Sequence, residues 1–193
     1  MIQRKMLPFI KLTDDHIILR PFEFGEASEL YKAVEESMGE LKPWMSWANE
    51  NYTAETAQNF ITVTRAQWSS GIHYGFAIID ANNGGLLGGC SLSHIHAVYH
   101  FCNLGYWVRT SQHGKGIAGR AAKLAAKFAF EKVKLIRVEI VVAVGNEASK
   151  RAAEKIGAHY EGISLNRMVV GREIYDAYMF SLLPSDFDPA ARS

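Results

Sequence analysis

The chain has 193 residues, of which 48% are hydrophobic, and a formal net charge of +1. This length predicts one domain over residues 1–193, and the near-neutral charge argues against a nucleic-acid-binding protein, which usually carries a basic excess. No apolar run is long enough for a secretion signal or a membrane span, so we expect a cytoplasmic protein with no membrane partner. Cys90 and Cys102 lie in apolar stretches, which predicts small buried side chains rather than a disulfide framework.

The first half of the chain changes from helical to strand patterns. Apolar spacing predicts a short strand at 16–20 and helices at 26–37 and 53–70, the second capped by Thr53 and ended by Gly71. An aromatic loop with a proline lies between these helices, at 41–47. The following segment predicts an antiparallel meander of three strands, with a hairpin turn at 81–85, and the strands are 74–80, 86–94 and 98–108.

The second half mixes helices with buried strands. From Ile117 to Phe128, apolar residues recur at helical spacing, and basic residues occupy the opposite side. An almost continuous apolar run at 137–144 indicates a strand buried on both faces, and 146–156 is a helix between Asn146 and Gly157. Two strands, 159–165 and 173–183, precede a polar tail at 184–193 that we expect to be loose. This order predicts an α+β domain built on a mixed central β-sheet.

The segment from Tyr106 to Gly119 carries the strongest functional signal. A strand end leads into a basic, glycine-rich turn that opens a helix, where free N–H groups and the helix dipole favour phosphate. The residues from Gly114 to Gly119 match G-x-G-x-x-G, with Glu139 downstream as a ribose-binding acid. However, five polar or charged residues separate this turn from its strand, and too little chain follows for a doubly wound sheet. A nucleotide P-loop fits worse, since Lys115 is followed by glycine rather than serine or threonine.

The same turn resembles motif A of the GNAT superfamily of N-acetyltransferases, Q/R-x-x-G-x-G/A. Here the motif runs from His113 to Ala118, with histidine in place of glutamine or arginine. Residues 104–108 look like the fourth strand of that family, and 146–149 look like the N-x-x-S start of its last helix. The end of that helix, 154–158, is similar to E-K-x-G-F/A. The 41–47 loop is similar to the L-x-P-W-L-x-W loop of the RimJ/RimL branch, so the resemblance covers 16–183.

This resemblance implies a GNAT-like fold with about seven strands and about four helices. It also implies that acetyl-CoA is the acetyl donor, that no metal is needed, and that the protein forms a homodimer. The fourth strand would splay from the fifth and pair with the pantetheine amides. The cofactor-binding residues it assigns are Tyr106, Trp107, Val108, His113, Gly114, Lys115, Gly116, Ile117, Ala118, Gly119, Asn146 and Ser149.

For catalysis, the resemblance assigns to Ser149 the protonation or orientation of the leaving thiolate. The alternative role for Ser149 is to help cap its own helix. Relatives carry a glutamate where this chain has Asn103, and another falls near Met168, so the base is unassigned. A histidine or a water chain is our hypothesis for that role, and the candidates are His94, His96 and His100, which lie at the turn between the second and third strands of the meander. A metal site at His94-x-His96 is disfavoured because no carboxylate or cysteine stands beside it at ligand spacing.

The acceptor would lie against Trp44 and Trp47, with Asn103 and His94 as further substrate-binding residues. The predicted function is transfer of acetyl from acetyl-CoA to a primary amine, notably the N-terminus of a ribosomal or other protein. An antibiotic or polyamine acetyltransferase is the alternative within the enzyme class. A non-catalytic acyl-CoA sensor is the alternative outside it, because the glutamates of relatives are missing.

Overall fold

A computed structural model describes residues 7–188, which build one eight-stranded sheet flanked by helices. The order across the sheet is β1-β2-β3-β4-β5-β6-β8-β7, and every neighbouring pair is antiparallel except β5 and β6. The mixed α+β sheet expected from the sequence is therefore confirmed. The strands are β1 Leu12–Thr13, β2 Ile17–Arg20, β3 Tyr74–Asp80, β4 Leu86–His96, β5 Phe101–Val108, β6 Arg137–Ala143, β7 His159–Val170 and β8 Glu173–Leu182.

Five α-helices connect these strands, and the caps expected from the sequence hold two of them. Thr53 accepts a hydrogen bond from the Thr56 N–H (3.2 Å), and Asn146 accepts one from the Ser149 N–H (3.1 Å). A short π-helical turn, Ala129–Val133, continues the fourth helix. The helices are α1 Ala27–Glu36, α2 Met38–Leu41, α3 Ala54–Ser69, α4 Ile117–Phe128 and α5 Glu147–Lys155.

Helices cover both faces of the sheet and divide the core into two clusters. Helices α4 and α5 pack on one face, where alanines such as Ala121 and Ala125 are fully buried and let α4 lie close to the strands. Helices α1 and α3 pack on the other face, around Leu30, Val34 and Ile61. Cys90 and Cys102 are buried free thiols, as expected, and burial raises the pKa of both.

Two short elements escaped sequence-based prediction. Strand β1 has two residues and helix α2 has four, so neither is long enough to show a periodic apolar pattern. They bring the sheet to eight strands and the described α-helices to five, against the expected seven and four. Both form through tertiary contacts: β1 pairs with β2, and Leu41 of α2 is buried in the core.

Several predicted boundaries were also wrong. Residues 98–100, expected in a strand, form a turn that the His100 N–H closes on the His96 carbonyl at 2.8 Å. Strand β7 runs five residues beyond its expected end, since two bulges interrupt its alternation. The tail is not loose at 184–187, where a 3-10 turn places Phe187 against Phe130, with 5.5 Å between ring centroids. The remainder of that expected tail, 189–193, lies outside the described residues. Within residues 7–188, no helix combines the length and apolarity needed to cross a membrane.

Candidate active site

The glycine turn has the backbone geometry that the sequence predicts. Gly114 and Gly116 have φ angles of +78° and +74°, and open space surrounds the position of a Cβ at each. The first backbone hydrogen bond of α4 runs from the Arg120 N–H to the Gly116 carbonyl, at 3.1 Å. The N–H groups of the preceding turn are therefore free to bind an anion at the positive end of the helix.

The polar segment before this turn is fixed to the end of α1. Arg109 pairs with Glu36, the Ser111 N–H donates to Glu36 Oε1 (2.8 Å), and the Thr110 N–H donates to the buried Ser37 hydroxyl (3.0 Å). The Arg109 guanidinium, helped by Ser111, lowers the pKa of Glu36 to about 2. The sequence carried no local signal for Glu36 or Ser37, because they lie more than 70 residues from their partners.

His113 and Lys115 make contacts that shape the turn itself. The His113 Nε2–H donates to the Val108 carbonyl at 2.8 Å, which ties the turn to the end of β5. Lys115 Nζ donates to Gln112 Oε1 at 2.7 Å. His113 stands where the motif of the family has glutamine or arginine, and its ring holds the end of β5 in place. The backbone N–H of His113 donates to the Thr110 carbonyl, within the turn.

Strands β5 and β6 separate in the way the resemblance implied. Their parallel pairing comprises Phe101 with Arg137, Cys102 with Val138 and Asn103 with Glu139, and it ends there. Beyond Asn103, β5 pairs with β4 alone, so the β6-facing backbone of residues 104–108 is open to another partner. An extended molecule with amide groups can bind there as a strand would.

A cleft of about 820 Å³ runs from the glycine turn to this gap between the strands. It is bounded by α4, α5 and the end of β5, with α2 and the loop after it on the far side. Every residue that the resemblance assigned to the cofactor lines it, and so does Trp44. These residues are Tyr106, Trp107, Val108, His113, Gly114, Lys115, Gly116, Ile117, Ala118, Gly119, Asn146 and Ser149.

Basic side chains surround the cleft, although the whole chain is nearly neutral. Arg120, Lys123 and Lys127 of α4 line it, together with Arg151 and Lys155 of α5. Only two acidic residues line it, and one of them, Asp14, pairs with Arg120 at 3.0 Å. The sequence indicated that the basic residues of α4 share one face of the helix, but not that this face borders the cleft. Their spacing of three or four residues, which recurs in α5, was the signal that the charges of each helix lie together.

Two hydroxyl groups meet in the cleft. The Tyr106 hydroxyl donates to the Ser149 carbonyl at 3.3 Å, and the Ser149 hydroxyl lies 3.5 Å from the Tyr106 oxygen. Burial raises the pKa of Tyr106, which keeps its proton in place. Ser149 also serves the cap of α5 through its N–H, so the functional and structural roles weighed for this residue are compatible.

On the face of the sheet that carries α1, aromatic side chains connect the loop after α2 to the strands. The rings of Trp44 and Tyr175 are 6.2 Å apart, which links the loop after α2 to strand β8. Trp47 does not line the cleft with Trp44. It lies 6.1 Å from Trp107, 6.0 Å from Tyr52, and is 41% exposed.

The remaining predicted acceptor residues lie outside the cleft lining. His94 sits in the bulge between β4 and β5 with a φ of +50°, and its ring is hydrogen-bonded to Ser93 (3.1 Å). The His96 ring stacks on Tyr99 and Phe101, and its Nδ1 accepts the Tyr99 N–H. Among residues 7–188, no cluster of potential metal ligands occurs. Asn103 lies at the last paired position of β5.

The GNAT acetyltransferase domain family matches residues 16–159, three-quarters of the chain. The chain belongs to this family. GNAT enzymes are acetyl-CoA-dependent N-acetyltransferases, so the donor, the reaction class and the resemblance drawn from the sequence are confirmed.

Proteins of related sequence and structure include ribosomal-protein acetyltransferases. YdaF of Bacillus subtilis, for which a ribosomal N-acetyltransferase activity has been proposed, is 30% identical over 91% of this chain and 95% of its own. The ribosomal protein uS5-alanine N-acetyltransferase of Escherichia coli is 21% identical over 96% of this chain and 97% of its own. A solved structure of a Vibrio cholerae protein, for which a ribosomal-protein-serine acetyltransferase activity has been proposed, is 28% identical with a TM-score of 0.82. The match covers 93% of this chain and 100% of the Vibrio cholerae chain.

The same fold also occurs in a self-immunity enzyme. The microcin C7 self-immunity acetyltransferase MccE, solved with acetyl-CoA and AMP, has a TM-score of 0.81 at 21% identity, over 88% of this chain and 93% of its own. At this identity the likeness concerns the fold alone.

Proposed function

We propose that this GNAT enzyme transfers acetyl from acetyl-CoA to the α-amine of a protein N-terminus. The observation that carries the proposal is the cleft that joins the free N–H groups at Gly116 to the Tyr106–Ser149 hydroxyl pair. One end suits a diphosphate, and the other offers proton donors beside an open strand edge. The two ends lie on one continuous path along β5.

The residues along this path have complementary tasks. The N–H groups of the turn hold the diphosphate, and the basic side chains of α4 and α5 add attraction for phosphate charge. The open edge of β5 holds the pantetheine amides and directs the thioester toward Ser149. Backbone N–H groups at this edge can polarise the thioester carbonyl, since they are fixed before the reaction begins.

Proton donation completes the reaction. A free thiol has a pKa of about 8.5, so a thiolate is a fair leaving group and gains from a nearby proton. The Ser149 hydroxyl supplies that proton, and the Tyr106 hydroxyl, 3.5 Å away, supports it. Ser149 is therefore the proposed catalytic acid, and Tyr106 its hydrogen-bond partner.

A protein N-terminus fits the acceptor side for two reasons. The aromatic pairs Trp44–Tyr175 and Trp47–Trp107 form walls suited to an extended segment rather than to a highly charged molecule. In addition, the Escherichia coli relative acetylates an alanine of ribosomal protein uS5, as its name states. Ribosomal proteins are accordingly the first acceptors to test.

A small-molecule amine is the second candidate. MccE, which has the same fold, is a self-immunity enzyme that was solved with AMP beside acetyl-CoA. An antibiotic or a polyamine as acceptor would be compatible with the same donor cleft, because the donor and acceptor sides use different elements.

The test is a panel of amines assayed for thiol release with acetyl-CoA. It contains ribosomal proteins, peptides that begin with alanine, serine or methionine, polyamines and aminoglycosides. The matched control for each peptide is the same sequence with a formylated N-terminus, which keeps every lysine. We expect release with free N-termini only, and mass spectrometry should place the acetyl group on the first residue.

Each other outcome has a defined meaning. Release with polyamines or aminoglycosides alone would establish the second candidate. Acetylation of formylated peptides would show that lysine is the acceptor. Binding of acetyl-CoA in calorimetry without release on any amine would contradict the proposal in favour of the acyl-CoA sensor.

A further inference from the structure

A row of polar side chains crosses the sheet where β5 and β6 part. Ser93 of β4 pairs with Asn103 of β5, Asn103 pairs with Glu139 of β6, and Glu139 pairs with Ser181 of β8. Paired residues project from the same face of a sheet, and adjacent strands lie about 4.8 Å apart. These four residues, the polar row, therefore form one continuous line on the face that carries α1 and α3.

Asn103 has an unused hydrogen-bond acceptor in this row. Its Oδ1 is buried and has no hydrogen-bond partner among residues 7–188. A buried polar atom without a partner destabilises the fold, and native proteins rarely contain one. An amine or ammonium group that enters at the open edge of β5 can donate a hydrogen bond to this atom.

Glu139 has a free carboxylate oxygen beside Asn103. Its Oε1 accepts from Arg137 Nε at 3.0 Å, whereas Oε2 has no partner in the described part of the chain. The Glu139 side chain is 16% exposed, so it is sheltered and still accessible. Glu161 of β7 differs, because both of its oxygens contact Arg137 and one also accepts from Ser181.

The row lies at the inner end of the open edge of β5. The diphosphate end of the cleft is at the C-terminal end of β5, and the open edge of β5 runs back from Val108 to Asn103. The last paired residues, Asn103 and Glu139, thus mark the bottom of the gap. An amine that approaches the open edge of β5 from the α1 face therefore comes close to this pair.

Negative charge exceeds positive charge around Glu139. Arg137 on the same strand is shared between Glu139 and Glu161, which gives two carboxylates to one guanidinium. His159 acts on Glu161 from β7, and the Cys102 thiol, next to Asn103 on β5, has its pKa raised to about 12 by burial and by the charge of Glu139. An ammonium group is attracted to such an environment.

We propose that Glu139 is the proton acceptor for the incoming amine and that Asn103 Oδ1 holds that amine in place. The proposal rests on the proposed function, in that the acceptor is an amine. Relatives carry a glutamate at the position of Asn103 on β5, whereas in this chain the proposed carboxylate is Glu139, which is paired with Asn103 on the neighbouring strand β6. The histidines considered from the sequence are then not needed as the base.

The proton balance is as follows. The ammonium group gives one proton to Glu139, and the freed lone pair forms the N–C bond to the thioester carbonyl. As the C–S bond breaks, the leaving sulfur takes a proton from the Ser149 hydroxyl, and the second nitrogen proton returns to Ser149 through solvent. Glu139 then releases its proton to solvent, so the products are the amide, the thiol of CoA and one proton.

The test compares Glu139→Gln with Glu161→Gln, which disturbs the same Arg137 without removing the proposed base. With the peptide acceptor and with glycinamide, we expect Glu139→Gln to lower kcat/KM on the order of 100-fold near pH 6.5. The deficit should shrink to within about threefold near pH 9, since an α-amine with an ordinary pKa of about 7.7–8.0 is then already neutral. Glu161→Gln should stay within about twofold of wild type throughout this pH range.

A double variant that places the carboxylate on β5 instead of β6 tests whether the position of the charge is what matters. Asn103→Glu in the Glu139→Gln background should recover most of the lost rate near pH 6.5, while calorimetry shows unchanged affinity for CoA in every variant. A loss that is independent of pH, or equal in the two single variants, would overturn the assignment of Glu139. Release with glycinamide but not with peptides would contradict only the proposed acceptor, and no release with any amine would contradict both proposals.

Discussion

The proposed donor side and the proposed acceptor side of this enzyme are built in different ways. The donor side uses mainly backbone groups from one continuous segment, Tyr106 to Gly119, supplemented by α5. The acceptor side uses side chains that converge from distant segments, with Trp44 near Tyr175 and Trp47 near Trp107. Backbone recognition tolerates changes of side chain, so a donor site of this kind can persist while the acceptor site changes. Substitutions should therefore separate the two sides.

The largest effect is expected for the hydroxyl pair where the two sides meet. Ser149→Ala should lower kcat on the order of 100-fold, because the leaving thiolate loses its proton donor. The affinity for acetyl-CoA should remain unchanged in calorimetry. Tyr106→Phe should lower kcat less, and the double variant should resemble Ser149→Ala if the two hydroxyls act as a unit. An unchanged kcat in Ser149→Ala would remove this residue from the chemistry and leave it as part of the α5 cap.

The glycine turn should control donor binding alone. Gly116→Ala places a side chain at a φ of +74°, which costs about 1–2 kcal/mol of stability and distorts the N–H groups. We expect the Kd for acetyl-CoA to rise about tenfold, which corresponds to 1.4 kcal/mol.

Gly84→Ala is the matched control for this substitution. Gly84 has a φ of +76° and open space around it, but it lies in the β3–β4 hairpin away from the cleft. Calorimetry and thermal unfolding should show the same loss of stability in both variants and weaker donor binding in Gly116→Ala only. Equal donor affinities would show that the turn does not bind the donor.

A substitution of Trp44 should affect acceptor binding more than donor binding. Trp44→Ala removes the contact between the loop after α2 and Tyr175, worth about 1 kcal/mol. We therefore expect the KM for a peptide acceptor to rise about fivefold, with Phe60→Ala as the control, because it removes the aromatic contact of Phe60, on α3, with Phe22, outside the cleft lining. Steady-state kinetics with each substrate varied would show the difference. A larger change in the KM for acetyl-CoA than for the peptide would contradict the division into two sides.

The smallest effect concerns the ion pair of Arg109 with Glu36, which fixes the segment before the glycine turn, here called the donor loop, to α1. The folded-state pKa of Glu36 is about 2, below its ordinary value of 4.5, so its stabilising contribution is complete above about pH 5 and disappears as the pH falls toward 2. Glu36→Gln should cost no more than about 1 kcal/mol at pH 7, because the pair is partly exposed, and the difference from wild type should shrink in acid.

Denaturant unfolding at several pH values measures this contribution. Glu50→Gln is the control, because Glu50 pairs with Lys42 on an exposed surface that does not touch the donor loop. A difference between Glu36→Gln and wild type that stays constant from pH 7 to acid would mean that the carboxylate charge does not stabilise the loop.

Local sequence determined the features that depend on neighbouring residues. The apolar stripe of α4, the caps at Thr53 and Asn146 and the glycine turn all follow from contacts within about four residues. Such contacts leave periodic or positional signals, so they could be predicted. The proposed donor side is mostly of this kind, which explains why the residues assigned to it from the sequence all line one cleft.

Only the tertiary structure decided which distant residues meet. The attachment of Thr110 to Ser37 spans 73 residues, and the pairing of Asn103 with Glu139 spans two strands with a helix between them. No pattern along the chain encodes such contacts, because they depend on how the strands align and which faces they bury. For the same reason the sequence showed a glutamate missing at Asn103, whereas the fold places Glu139 directly beside that position.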